Sequence, residues 1–189
     1  MADADPLDAA GTRGAGPSFS RRNRAERALF TLVWTVAARW TPPPLHRWRC
    51  TILRAFGAEV GRGVRLYGST IVWHPANLSI GAGALIGPRV RLYNQGRIGI
   101  GAGAVVSQGA HLCASTHDLR DADFQLLLRP ITIGADAWIA AEAFVGPGVT
   151  VGDGAVLGAR GAAFDDLEPC HIYRGNPAAA ISVRERRAW

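Results

Sequence analysis

The residue around which chemistry can be built is His117, in Ser115-Thr-His-Asp. An imidazole titrates near neutral pH, so it can take a proton from a hydroxyl and return it within one reaction. It stands at the mouth of a break, over 117–130, in an otherwise regular pattern. Such excursions from a stiff scaffold are where function tends to sit. Upstream, Leu92-Tyr-Asn-Gln offers a ring for stacking on a flat or apolar ligand face, Tyr93, and a polar amide, Asn94. Trp138 stands out as a large aromatic among small residues. His74, His111 and His171 read as structural or solvent-facing. Gly99-Ile-Gly-Ala-Gly-Ala104 matches a loose dinucleotide fingerprint. Similar glycine turns recur at 81, 134 and 152 with no helix after them, so these are corners.

The pattern that must position these groups is a six-residue beat over 60–168. Its registers are Val60, Leu66, Val72, Leu78; Ile80, Ile86, Leu92, Ile98; Ile100, Val106, Leu112; then Ile133, Ile139, Val145, Val151, Leu157 and Ala163. Small residues follow four places on, as at Ala76, Ala84, Ala104 and Ala137. A period of six fits neither a helix face nor one long strand, and points to a chain that turns a corner at every repeat. Three corners close a triangular coil of about 18 residues, and coils stack at the roughly 4.8 Å spacing of paired strands. The run gives about five coils of a parallel β-helix, an all-β domain over 58–168.

Before it, 23–40 has helical spacing, with one apolar stripe expected at Leu29, Leu32, Val33, Val36, Ala37 and Trp40. Pro42-Pro43-Pro44 ends it, and a second helix is expected over 45–56. The helical segment, 21–57, reads either as a cap over the first coil, whose strand edges need covering, or as a helix on a membrane surface with Arg21, Arg22, Arg24 and Arg27 near lipid phosphates. Its apolar run is too short to span a bilayer. Residues 1–20 are expected to be a disordered tail, and 169–189 a cap with a basic tail.

Every one of the 21 basic residues is arginine, and the net charge is +6. That balance suits an anionic ligand such as a CoA phosphate, a sugar nucleotide or a lipid surface. Nucleic acid is not expected, since the arginines are scattered and no reading motif appears. Three cysteines without paired spacing, and no apolar leader, give free thiols in a reducing, cytoplasmic setting as the expectation.

The repeats Ile80-Gly-Ala-Gly-Ala, Ile133-Gly-Ala-Asp-Ala-Trp-Ile and Val151-Gly-Asp-Gly-Ala resemble the hexapeptide-repeat acyltransferases. With Ser115-Thr-His-Asp, Trp138-Ile-Ala-Ala, Gly146-Pro-Gly-Val and Gly175-Asn-Pro-Ala, the chain looks like the O-acetyltransferases acting on maltose, galactosides and exopolysaccharides. The colanic-acid type is nearest, on the segment Trp48-Arg…Leu53-Arg-Ala-Phe-Gly-Ala. The resemblance implies a left-handed prism, a homotrimer, acetyl-CoA as co-substrate, no metal, and a sugar or glycan-precursor acceptor. It implies His117 as the catalytic base, Asn94 on the acceptor hydroxyl, and Trp138 along the acyl-CoA tunnel. It further implies the Ala141 N–H on the thioester carbonyl and Ala159 and Gly161 along the pantetheine arm. The chain departs from its relatives at Phe164 and Ala179. That leaves the CoA phosphates to Arg184, Arg186 or Arg187, or to Arg160 and Arg174.

Two other readings stand beside it. One is a β-helix that binds a partner without catalysis. The other is a zinc enzyme of the γ-carbonic-anhydrase type, which needs three imidazoles about 2.0 Å from one metal. There the five-residue gap between His111 and His117 differs from that family's pair.

Overall fold

The computed structural model describes residues 18–185. Helix α1 (Arg21–Ala37) and helix α2 (His46–Ala55), joined through a short 3-10 turn at Pro43–Leu45, precede the prism. The three walls are parallel. The first stacks Glu59–Val60, Leu78–Ile80, Ile98–Ile100, Ile131–Ile133 and Thr150–Val151. The second stacks Arg65–Leu66, Leu85–Ile86, Val105–Val106, Trp138–Ile139, Val156–Leu157 and His171–Arg174, and ends with Ala179–Val183 running antiparallel. The third stacks Ile71–Val72, Arg91–Tyr93, His111–Cys113, Phe144–Val145 and Ala162–Ala163. Five coils and the start of a sixth result.

The beat predicts the core closely. From Leu66 to Ala163 every inward position of the six-residue registers is at most 8% exposed. The two-residue skips arise because first-wall strands bury both ends, pairing Leu78 with Ile98 and Ile80 with Ile100. Glycine after the inward residue is a matter of room. A Cβ on Gly101 would stand 2.5 Å from the Ala135 nitrogen of the next coil. Ala76 departs from the pattern, exposed in the 3-10 turn Pro75–Asn77.

Helices α1 and α2 close the N-terminal end by satisfying the first coil's outward carbonyls, which no earlier coil can reach. Arg54 Nη2 donates to Val60 O (2.7 Å) and Gly61 O (3.0 Å), Cys50 Sγ to Val64 O (3.7 Å), and Trp34 Nε1 to Gly68 O (3.1 Å). Leu66 O accepts from both His46 Nδ1 (2.8 Å) and Arg49 Nε (2.7 Å). Arg49 is fully buried, and its remaining donors hold the interhelix turn through Thr41 O, Thr41 Oγ1, Pro42 O and Pro43 O.

The stripe expected on α1 needs correction. The core takes Phe30 and Trp34, with Val33 and Ala37 partly buried, whereas Leu29, Leu32, Val36 and Trp40 lie on the solvent face at 55–73% exposure. The helix has two apolar faces, and the aromatic one wins because Trp34 adds a hydrogen bond to its buried area. Of the tail expected over 1–20, only 18–20 is described. Ser20 Oγ accepts from Asn23 N (3.1 Å) as the α1 cap, and Phe19 packs on Trp73. Residues 1–17, and 186–189 with Arg186 and Arg187, lie outside the described residues.

Arg49→Met removes a donor from four carbonyls and a hydroxyl and leaves Thr41 O and Pro43 O without one among the described residues, so a loss on the order of 3–5 kcal/mol is expected in urea unfolding. His74 gives a pH signature. Its Nδ1 is buried without a partner among the described residues, and its Nε2 lies 3.5 Å from Glu26 Oε2. Burial lowers its pKa, an effect that outweighs the nearby carboxylate. The unfolded imidazole therefore binds protons that the folded one refuses, and stability falls as pH drops through the ordinary value of 6.5. Melting midpoints across this window should drop in the wild type and drop less steeply in His74→Gln, where His111, also lowered by burial, still contributes.

Candidate active site

The break in the beat folds as a β-hairpin leaving the corner between the third and first walls. Ser115–His117 runs antiparallel to Leu126–Leu128, with His117 opposite Leu126. Gly96 gives it room, since a Cβ there would lie 2.6 Å from Ala114 O. Two aspartates shape the tip by accepting from backbone N–H groups two residues on: Asp118 from Arg120 (2.9 Å) and Asp121 from Asp123 (3.0 Å). The chain then turns back through Phe124, whose φ of 53° is left-handed.

That turn fixes His117. Its Nδ1 lies 2.9 Å from Phe124 O, and its ring stacks on the Phe124 ring at 4.6 Å and 10°. A carbonyl only accepts, so Nδ1 carries the proton and the neutral imidazole keeps its lone pair on Nε2. The sequence reading missed Phe124. An aromatic residue inside a polar loop was the available signal.

A cleft of about 490 Å³ opens beside this ring. Ser115, Thr116 and His117 line it from the hairpin, and Tyr93, Gln95 and Cys113 from the third wall and the corner after it. The start of α1 completes it with Ser18, Phe19, Arg24 and Arg27. Tyr93 is half-exposed, and its hydroxyl accepts from Gln95 Nε2 (2.9 Å). A second cleft, of about 470 Å³, shares Arg27, Tyr93 and Cys113 and reaches His111. Burial lowers the His111 pKa, and Arg91 lowers it further. No group of three or more His, Cys, Asp or Glu side chains among the described residues is arranged to hold a metal.

Asn94 does not reach this cleft, a correction to its expected place on the acceptor. It is fully buried, its Oδ1 accepts from the backbone N of Trp73 (2.9 Å) and His74 (3.2 Å), and its Nδ2 donates to His74 O (2.5 Å). Its amide is spent bracing the corner of the coil before. Arg184 also differs from expectation. Its Nη1 donates to Asp136 O and Gly154 O (both 3.0 Å), tying the C-terminal strand to the corner between the first and second walls.

Trp138 lies on the second wall, 45% exposed, its Nε1 donating to Ser107 Oγ (2.9 Å). Ala141 and Ala159 occupy successive turns of the corner that follows, joined by Arg160 N to Ala141 O (2.9 Å). The Ala141 N–H has no carbonyl partner among the described residues. Gly161 is buried below them, where a Cβ would meet Leu157 Cδ1 at 2.8 Å. Arg160 stands at the same corner, paired with Glu142 (2.7 Å). Trp138 is not among the residues that line the His117 cleft.

No known family profile matches the chain. It is 44% identical over 158 residues, 82% of its length, to a protein of Escherichia coli K12 with the provisional name colanic acid biosynthesis acetyltransferase WcaF, covering 86% of that protein. It is 29% identical over 164 residues to the galactoside O-acetyltransferase of the same strain, spanning 85% of this chain and 68% of that one. The galactoside acetyltransferase solved in complex with coenzyme A superposes with a TM-score of 0.80 at 20% identity, over 89% of this chain and 86% of the other. The left-handed β-helix is common to both.

If Phe124 O holds the Nδ1 proton, nitrogen NMR of the neutral protein should show His117 Nε2 as the unprotonated ring nitrogen. The opposite tautomer would remove the lone pair from the cleft.

Proposed function

The chain belongs to the hexapeptide-repeat O-acetyltransferases of the colanic-acid type, and on that premise we propose that it carries an acetyl group from acetyl-CoA to a sugar hydroxyl in exopolysaccharide biosynthesis. The observation that carries this reading is the His117 ring, locked by Phe124 with Nε2 free beside an open cleft. Nε2 takes the proton of the acceptor hydroxyl, whose oxygen attacks the thioester carbonyl. The Ala141 N–H then receives the negative charge that develops on the carbonyl oxygen. Collapse of the tetrahedral species breaks the C–S bond, and the imidazolium returns its proton to the leaving CoA thiolate. Tyr93 offers the acceptor a half-exposed ring. The pantetheine arm runs past Trp138 and along the corner of Ala141, Ala159 and Gly161. Arg160, at that corner, and Arg174, whose Cβ lies beside Gly158, take the CoA phosphates in place of Arg184, whose Nη1 is engaged by carbonyls.

The site is completed between copies in a homotrimer, with His117 of one protomer facing Trp138 of the next. An outward ladder of rings on the third wall supports side-by-side packing. Tyr93, His111, Phe144 and Phe164 follow one another at 6.4, 5.5 and 5.7 Å between centroids, and Phe164 is 55% exposed. The protein works at the cytoplasmic face of a membrane, touching it through the exposed stripe Leu29, Leu32, Val36 and Trp40. No helix among the described residues is long and apolar enough to cross one.

Thiol release from acetyl-CoA, measured with a panel of sugars, tests the reaction. His117→Ala should lower kcat by about 10²–10⁴ while acetyl-CoA affinity stays unchanged, and retained kcat would sink the base assignment. Mixing His117→Ala chains with Trp138→Ala chains should restore activity that neither has alone. A site contained in one protomer would show no such rescue.

A further inference from the structure

We propose that Arg24 and Arg27 are the anion-recognising part of the acceptor site, so the sugar that is acetylated carries a phosphoryl group. This inference rests on the transferase reading above. Both arginines line the His117 cleft, and no carboxylate does so among the described residues. They lie three apart on one face of α1, where like charges repel by a few tenths of a kcal/mol. Arg24 lowers the Arg27 pKa, after burial, which is the larger cause.

The carboxylate nearest in sequence, Glu26, is turned elsewhere. It pairs with Arg22 (2.8 Å) and faces His74 (3.5 Å). Arg27 is instead held by neutral groups: its Nε donates to Asn23 Oδ1 (2.9 Å), and its guanidinium lies 4.0 Å over the Trp73 ring and 5.7 Å over Phe19. That leaves a pre-oriented guanidinium whose outer donors meet no anion among the described residues. Arg27 with Arg24 beside it on the same cleft matches the multiple charge of a phosphoryl group better than the single charge of a sugar carboxylate.

The same arginines also begin a groove along α1, with Ala28, Thr31, Leu32 and Thr35. A sugar seated at His117 would therefore put its phosphoryl group at Arg24 and Arg27, with its carrier continuing past them. Nucleotide-linked and lipid-linked sugars share that chemistry.

The test uses the full-length protein saturated with CoA, so that the CoA phosphate site is filled, and follows tryptophan fluorescence, to which Trp73 beneath Arg27 contributes. Inorganic pyrophosphate should bind saturably in the wild type, and about tenfold or more weakly in Arg24→Gln/Arg27→Gln. The single variant Arg24→Gln, on an exposed side chain, guards against a folding defect in the pair. Tighter binding of UDP than of pyrophosphate would support the inference with a nucleotide carrier, and tighter binding of geranyl diphosphate would support it with a lipid one. Equal pyrophosphate affinity in wild type and both variants would overturn it, as would galacturonate binding better than pyrophosphate. CoA affinity is measured separately. Arginine-dependent pyrophosphate binding without CoA binding sinks the transferase reading, whereas CoA binding without arginine dependence sinks this inference.

Discussion

Each coil has to lie in register on its neighbour, because that is where the wall amides find their carbonyls. Gly61 N reaches Ile80 O, Gly81 N reaches Ile100 O, and Gly101 N reaches Ile133 O, each at 2.7 Å. A chain under this constraint can leave the prism only at a corner, and only if it returns to the ladder it left. The His117 hairpin does so: after it, Ile131 pairs with Ile98 and Ile133 with Ile100, as though nothing had been inserted. The His117 ring thus inherits the stiffness of the scaffold while standing outside it. The hairpin's own geometry, from the aspartate turns to the Phe124 carbonyl, sets the ring's tautomer and tilt.

Arginine does three different jobs here, and burial with partner type separates them. Arg49 is interior and surrounded by carbonyls, so it acts as a hub for the interhelix turn. Arg184 also bonds carbonyls, but at the surface, where it pins the last strand. Arg27 rests on an indole and an amide, and no carboxylate among the described residues pairs with it.

The scaffold was largely legible because its rule is periodic: a beat of six, with glycine at the close approaches, leaves one way to bury the aliphatic residues. The hairpin that carries His117 was legible because it breaks that rhythm. Asn94 was misread because sequence gives its type and not its direction, and its amide turns inward to the corner of the preceding coil. The α1 stripe was misread because two apolar faces share one helix and only docking chooses between them. Arg24 and Arg27 went unassigned to the cleft for a related reason. How a helix lies across the end of a prism is a tertiary fact, and no local spacing encodes it.

The donors that α1 and α2 spend on the first coil have a consequence for assembly. Val60, Gly61, Val64, Leu66 and Gly68 offer carbonyls that a second copy's strands would otherwise find, and all five are already engaged. A stacked filament of such prisms needs an acceptor face on every copy, and this one is stoppered at the head. The ladder cannot be extended through this end by strand pairing, which removes one route to open-ended fibres.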